Sequence, residues 1–146
     1  MLLYLDMCSL QRPLDELSQL RVRLEAEAIV AILALCNSKQ ASLVSSDALE
    51  FESRKNSDPV RKNHAEAILT TALTVIRLSP ALEKSAALLH QDGLSPLDSL
   101  HFACAQEGEA DYFCTCDDRL LKRLRKMSVK KPKTVSPIEL LGELGI

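Results

Sequence analysis

Short apolar runs alternate along the chain with longer segments in which apolar residues recur at every third or fourth position. The short runs are typical of buried β-strands, and the longer segments are typical of amphipathic helices. The pattern predicts strands at residues 2–5, 42–45, 75–78, 112–116 and 133–135. It predicts helices at residues 17–37, 47–54, 58–72, 79–91, 95–108 and 117–127, with a last helix from residue 136.

Proline marks the beginning of several of these helices. Pro is favoured at the first helical position, and it follows a capping residue at Asp58-Pro59, Ser79-Pro80, Ser95-Pro96 and Ser136-Pro137. The last two of these starts also have the spacing of a capping box. The run at 75–78 fits either a strand or the last turn of the helix before it, and its β-branched residues favour the strand.

Helical spacing also indicates which side chains face the core. In the first long helix the expected inward stripe is Leu17, Leu20, Leu24, Ala28, Ala31, Ile32 and Leu35. In the helix that begins at Pro59 it is Val60, His64, Ile68 and Ala72. Since strands and helices alternate without internal repeats or linkers, we expect one α/β domain over residues 1–146, with a parallel sheet between helices.

Composition narrows the class of protein. Trp is absent and aromatics are 3%, so the core is expected to be aliphatic. The formal net charge of -2 gives no overall basic field for nucleic acid. The five cysteines form no CxxC pair, and the apolar start is too short for a signal peptide. Because no apolar stretch approaches the ~20 residues of a membrane helix, we expect a soluble cytoplasmic protein with reduced thiols.

Acidic residues follow two of the predicted strands directly. Ligands of open parallel sheets bind beyond the carboxyl ends of the strands, and Asp6 and Asp117 occupy this position. Asp98, in the first turn of its helix, and Glu52, in the helix after the second strand, can reach the same edge. Four carboxylates in one crevice would repel one another unless a cation joined them. Hard oxygen ligands of this kind favour Mg²⁺ or Mn²⁺, and such a site cleaves phosphodiesters.

Each acid also has a structural interpretation. Asp98 completes a capping box with Ser95, a role compatible with metal binding. Asp6 and Asp117 fit ordinary strand-end acids, and Glu52 fits a solvated helix residue. The functional hypothesis therefore depends on their joint placement at one edge of the sheet.

Nearly the whole chain resembles the PIN-domain ribonucleases, of which bacterial VapC toxins are the most numerous. The strongest similarity lies in residues 94–105 (LSPLDSLHFACA) and 110–121 (ADYFCTCDDRLL). An Asp that opens a helix, a following His-x-Ala and a strand ending in Thr-x-Asp are fairly specific to that family. Leu3-Tyr4-Leu5-Asp6 matches the family's first strand and acid, and Ser46 to Glu52 matches its Ser-x5-Glu segment.

The resemblance implies a three-layer α/β/α fold around a mostly five-stranded parallel sheet. It implies an endoribonuclease that cleaves single-stranded RNA with Mg²⁺ or Mn²⁺. Carried over by position, Asp6, Asp98 and Asp117 bind the metal, while Glu52 orients the water or holds a second metal. Thr115 would support the site by hydrogen bonding. A small antitoxin partner is implied by the family alone, and the apolar first helix suggests an interface for it or for a homodimer.

Other residues near the acids leave alternatives open. Cys8 stands where the family often has a small polar residue, Glu50 competes with Glu52, and Asp118 lies beside Asp117. His101 shares a helix face with Asp98, and a packing role is favoured over contact with RNA. A zinc site formed by His101 and the cysteines is disfavoured because the paired cysteine spacing is missing.

A local basic stretch follows Asp117 and offers a surface for RNA phosphates on a mildly acidic protein. Arg119, Lys122 and Arg123 are its candidate substrate-binding residues, and the alternative is a solvated helix face. Two other functions stay open: a PIN nuclease without a toxin role, and a catalytically silent PIN fold that binds RNA or protein. A phosphotransfer receiver domain is disfavoured, because Asp6 stands alone and no Lys follows the last strand directly.

Overall fold

Five parallel strands form the centre of the protein, in the order β3-β2-β1-β4-β5. The computed structural model describes residues 1–145. The strands are β1 (Leu2–Leu5), β2 (Ser42–Ser46), β3 (Thr74–Ile76), β4 (Tyr112–Cys114) and β5 (Lys133–Val135). The chain adds β2 and β3 on one side of β1 and then crosses to add β4 and β5 on the other. The strand order therefore reverses between β1 and β4, which is where open sheets bind ligands.

Helices flank this sheet, as the alternating pattern predicted. They are α1 (Met7–Gln11), α2 (Leu20–Asn37), α3 (Asp47–Lys55), α4 (Pro59–Leu69), α5 (Pro80–Gln91), α6 (Pro96–Glu107), α7 (Asp118–Lys126) and α8 (Pro137–Glu143). All four predicted Pro starts are confirmed, each with the preceding side chain as cap. The short α1 and the 3₁₀ turn Arg12–Leu14 were not predicted.

The inward stripe predicted for the first long helix is wrong in its first half. Helix α2 begins at Leu20, and Leu17, Leu20 and Leu24 are 45%, 68% and 45% exposed. Its buried face consists of Glu25, Ala26, Ala28, Ile29 and Ile32. Because Glu25 is buried by an ion pair with Arg12 at 2.6 Å, the burial of this face does not follow hydrophobicity alone.

The stripe predicted for the helix that begins at Pro59 is confirmed only in part: Ile68 and Ala72 are partly buried against the core, but the fully buried residues of α4 are others. Ala65 and Leu69 are buried, whereas Val60 is exposed. The His64 ring lies at the edge of this face, with Nε2 2.9 Å from the carbonyl oxygen of Leu10. Ala65 and Leu69 therefore form the centre of the contact that α4 makes with the core.

The core is mostly aliphatic, but its centre is aromatic. Tyr4, Phe102 and Phe113 are fully buried, and the Tyr4 and Phe113 rings stack with centroids 5.5 Å apart. Strands β1 and β4, which carry two of these rings, are thereby held rigidly side by side. Among residues 1–145, no helix has the length and apolar character needed to cross a membrane.

Candidate active site

Asp6 lies where the first strand ends, beside the end of β4. Leu5 is in register with Cys114, and the Asp6 amide donates to the Cys114 carbonyl at 3.1 Å. The Asp6 carboxylate caps α1, with Oδ1 accepting from the Ser9 amide and from the Cys8 thiol, each at 3.0 Å. Burial raises the pKa of Asp6, although hydrogen bonds from Thr115, Cys8 and Ser9 oppose the shift. The site thus contains a carboxylate whose charge is costly to bury.

Thr115 connects the Asp6 side of the crevice with Asp117. Its buried hydroxyl accepts the Asp117 amide at 3.0 Å and lies 3.7 Å from the Cys8 sulfur. Strand β4 ends at Cys114, two residues earlier than predicted. The Thr115 amide still donates to the Val135 carbonyl at 3.0 Å, and the chain then turns towards Asp117. Asp117 then caps α7, with Oδ1 accepting the amides of Arg119 and Leu120.

Asp98 lies in the first turn of α6, where Ser95 caps the helix through the Asp98 amide at 3.1 Å. The capping box interpretation is confirmed only for the Ser95 side chain. Burial is the main cause that raises the pKa of Asp98, and the charges of Asp117 and Glu52 raise it further. The fold therefore brings Asp117 and Glu52 within electrostatic reach of Asp98.

Glu52 is held by a buried histidine, which the sequence did not indicate. His101 Nε2 lies 2.7 Å from Glu52 Oε1, and His101 Nδ1 lies 2.7 Å from the Tyr4 hydroxyl oxygen. The Tyr4 hydroxyl is also 2.7 Å from Ser46 Oγ. His101 is buried, as a packing residue would be, but both ring nitrogens have polar partners. The three-residue spacing of Asp98 and His101 was the only signal that His101 lies near the acids.

The two acids that competed with Glu52 and Asp117, namely Glu50 and Asp118, form ion pairs with arginines. Glu50 lies 3.0 Å from Arg77 Nη1, and Asp118 lies 2.6 Å from Arg21 Nη1. Since both carboxylates are already paired with arginines, Glu52 and Asp117 are better placed for the acidic site.

Cations of α7 line a cavity of about 780 Å³ between α7 and the end of α5. Its charged lining residues are Arg119, Lys122, Arg123, Lys126 and Asp92. Arg125, by contrast, is paired with Glu139 at 2.8 Å and also donates to the Thr134 carbonyl. The five cations of α7 therefore divide into four that line the cavity and Arg125, which is structural.

The acids have the right chemistry for a hard divalent cation but are not gathered closely around one point. Within residues 1–145, no three or more His, Cys, Asp or Glu side chains form a group that could hold a metal ion. The donor set still fits Mg²⁺ or Mn²⁺, because the raised pKa values of Asp6 and Asp98 reflect charge that a cation would neutralise. The Oδ2 oxygen of Asp117 accepts no hydrogen bond from the described residues, so it is available as a metal ligand.

Comparison with known proteins gives two similarities. The family model described as PIN domain matches residues 41–127, more than half of the chain, which includes Glu52, Asp98 and Asp117 but not Asp6. The fold is similar to a chain in the structure of FitAB bound to an IR36 DNA fragment, with a TM-score of 0.59 and 16% identity. This match covers 94% of the present chain and 96% of the other. No curated protein matches the sequence.

Proposed function

Because the chain belongs to the PIN domain family, we propose that it is a divalent-metal-dependent endoribonuclease acting on single-stranded RNA. The observation that carries the proposal is the position of Asp6 and Asp117 after the adjacent carboxyl ends of β1 and β4, where the strand order reverses. Asp98 has a raised pKa from burial and from the neighbouring charges of Asp117 and Glu52. Acidic side chains collected at this edge of the sheet fit the binding of a divalent cation for phosphodiester cleavage better than they fit a purely structural role.

The proposed roles follow from the position of each side chain. Asp6, Asp98 and Asp117 would hold Mg²⁺ or Mn²⁺, which when bound polarises the phosphodiester and favours ionisation of water. Glu52 orients the attacking water, since its carboxylate is fixed on one oxygen by His101. Thr115 holds the turn that presents Asp117. Arg119, Lys122 and Arg123 bind the phosphates that flank the cleaved bond.

Similarity to VapC toxins extends the proposal to the biological context. In that context the chain is the toxin of a toxin–antitoxin pair, acts in the cytoplasm as a homodimer, and is inhibited by a small antitoxin. The exposed leucines at the start of α2 and just before it are a surface for such partners: Leu17, Leu20 and Leu24.

One observation supports a different class of function. Since the described residues contain no ready group of three metal ligands, a catalytically silent PIN module that binds RNA is the second candidate. It would use the cations that line the α7 cavity without cleaving the bound strand.

A cleavage assay separates the two functions. Purified protein is incubated with labelled single-stranded RNA and Mg²⁺, Mn²⁺ or EDTA, beside the Asp6→Asn, Asp98→Asn double variant. The nuclease predicts cleavage that requires metal and disappears in the double variant. RNA binding without cleavage in either metal would support the silent module instead. Cleavage that survives in the double variant would show that the site is elsewhere.

A further inference from the structure

The Glu52 carboxylate is the last member of a chain of hydrogen bonds that begins inside the core. The Leu49 amide donates to Ser46 Oγ at 3.1 Å, and Ser46 Oγ lies 2.7 Å from the Tyr4 hydroxyl. The Tyr4 hydroxyl and Glu52 then lie 2.7 Å from opposite nitrogens of the His101 ring. From these contacts we propose that His101 is a positioning residue that fixes Glu52 at the acidic site. The inference rests on the proposed function, because Glu52 is there the group that orients water.

Donor and acceptor can be assigned consistently to every hydrogen bond of this series. An ionised Glu52 can only accept, so His101 must donate from Nε2–H. In a neutral ring, Nδ1 then carries a lone pair and accepts the Tyr4 hydroxyl proton. The Tyr4 oxygen in turn accepts the proton of Ser46, whose own oxygen accepts the Leu49 amide. From the Leu49 amide to Glu52 Oε1, each polar atom of this hydrogen-bond chain has a partner, and one tautomer of His101 is selected.

The ring of His101 is held far more firmly than a packing histidine requires. It lies edge-on to Tyr4, with ring centroids 5.8 Å apart, and Tyr4 stacks on Phe113. His101 is 3% exposed, whereas the Glu52 side chain is 33% exposed. A partly exposed glutamate on a helix samples several rotamers, and a buried donor at 2.7 Å restricts it to one.

Only one oxygen of Glu52 is used in this way. Among the described residues, Glu52 Oε2 accepts no hydrogen bond, so it is available to a water molecule at the crevice. Tyr4 and Asp6 are two residues apart on the same extended segment and lie on the same side of it. The first strand therefore places a metal-binding carboxylate directly and the water-orienting carboxylate through His101.

Two substitutions of His101 separate positioning from packing. His101→Gln places an amide N–H₂ near the former Nε2 and can still donate to Glu52. His101→Asn places its amide near the former Nδ1, can still bond Tyr4, and does not reach Glu52. Tyr4→Phe removes the partner of Nδ1 but keeps the ring stacked on Phe113, so it tests whether Glu52 alone selects the tautomer. Thermal unfolding establishes that each variant is folded.

The first readout is nuclear magnetic resonance of the metal-free protein, which does not depend on catalysis. At mildly alkaline pH, ¹⁵N shifts should show the Nε2–H tautomer for His101, and Tyr4→Phe should keep this tautomer, because the Glu52 carboxylate selects it. The side-chain carboxyl ¹³C signal of Glu52 should move in His101→Asn and stay near its original position in His101→Gln. An Nδ1–H tautomer in the original protein, or equal Glu52 signals in the two His101 variants, would overturn the proposal.

The second readout is steady-state RNA cleavage. We expect His101→Asn to lower kcat about tenfold to a hundredfold with KM unchanged, since a misplaced group costs rate rather than binding. His101→Gln should recover most of kcat. Equal kcat values in the two variants would overturn the proposal even with the expected spectra. If the original protein cleaves no RNA, the proposed function fails, while the spectra still decide whether His101 positions Glu52.

Discussion

Thr115 Oγ1 accepts a hydrogen bond from the Asp117 amide at 3.0 Å, so the hydroxyl closes the turn that presents the acid. Thr115 is 1% exposed and immediately follows β4. Without the hydroxyl, the Asp117 amide loses this partner and the turn can relax. The Thr-x-Asp spacing in the sequence thus has a definite structural cause.

We therefore expect Thr115→Val to reduce RNA cleavage more than Thr115→Ser does. Valine has the shape of threonine but removes the acceptor, whereas serine keeps it and loses only a methyl group. A displacement of Asp117 by about 1 Å is enough to lower kcat about a hundredfold. Steady-state kinetics of the two variants provide the measurement, with thermal unfolding as the control. Equal activities would exclude a role for the hydroxyl.

The buried ion pair between Arg12 and Glu25 gives a prediction about stability. Arg12 Nη2 lies 2.6 Å from Glu25 Oε1, and the Glu25 side chain is 2% exposed. Arg12→Met leaves Glu25 charged and short of its nearest partner, because Arg21 is 3.6 Å away and half exposed. The expected loss in the free energy of unfolding is about 3 kcal/mol.

The matched variant removes both charges. Arg12→Met with Glu25→Leu replaces the pair by apolar groups, so it should be more stable than Arg12→Met alone. Urea unfolding of the original protein and the two variants tests this order. A double variant less stable than Arg12→Met would contradict the uncompensated-charge explanation.

Features that depend on neighbouring residues were predicted from the sequence, whereas features that depend on distant residues were not. The helix starts at Pro59, Pro80, Pro96 and Pro137 were predicted correctly because each depends on its own capping residue. The inward face of α2 was not, because Glu25 is buried by an arginine outside the helix. Hydrophobic periodicity contains no information about such a partner.

The same distinction applies to the candidate site. The positions of Asp6 and Asp117 followed from the ends of strands, and the pairing of β1 with β4 places them at one edge as expected. Tyr4, by contrast, looked like an ordinary strand residue. Its hydroxyl partners Ser46 and His101 are 42 and 97 residues away, so spacing along the chain could not reveal them. Likewise, the choice of Glu52 over Glu50 required the position of Arg77.

The cations of the α7 cavity should contribute to RNA affinity without sequence preference. We expect Lys122→Gln with Arg123→Gln to weaken binding and to flatten the dependence of log K on log salt by about 0.7 for each phosphate that these cations neutralise. Binding to single-stranded RNA is measured in EDTA, so that cleavage does not interfere. The charge-matched control is Arg23→Gln with Lys84→Gln, two cations outside the cavity. The same salt slope in both double variants would remove the cavity from the RNA-binding surface.

Burial of Asp6 should make the metal-free protein less stable at neutral pH than a neutral side chain would. Its pKa is raised in the folded state by burial, so the folded protein binds protons more readily than the unfolded chain. Stability therefore falls as pH rises from the unfolded pKa through the raised folded value. Asp6→Asn keeps an acceptor for the Ser9 amide but carries no charge.

The expected result is that Asp6→Asn in EDTA is more stable than the original protein at neutral pH, and that the gain shrinks on acidification. Urea unfolding at several pH values provides the measurement. Thr115→Ser serves as the control, because it changes the same crevice without removing a charge and should show a pH-independent difference. A gain that is constant with pH would show that burial of charge is not its cause.

Divalent metal should reverse the cost of assembling the acids, which gives the sharpest test of the metal proposal apart from catalysis. A ligand that binds only the folded state stabilises it by about 2.7 kcal/mol at one hundred times its Kd. Mg²⁺ or Mn²⁺ should therefore raise Tm of the original protein, and Ca²⁺ serves as a comparison cation. Asp98→Asn should begin with a higher Tm in EDTA, because it removes a charge that is partly desolvated and is also repelled by Asp117 and Glu52. It should also gain less from metal, since one proposed ligand is removed.

Glu50→Gln is the matched acid-to-amide control, because Glu50 is paired with Arg77 outside the crevice, and its metal response should equal that of the original protein. If metal raised Tm equally in Asp98→Asn, the cation would be binding elsewhere and the acids would need another explanation.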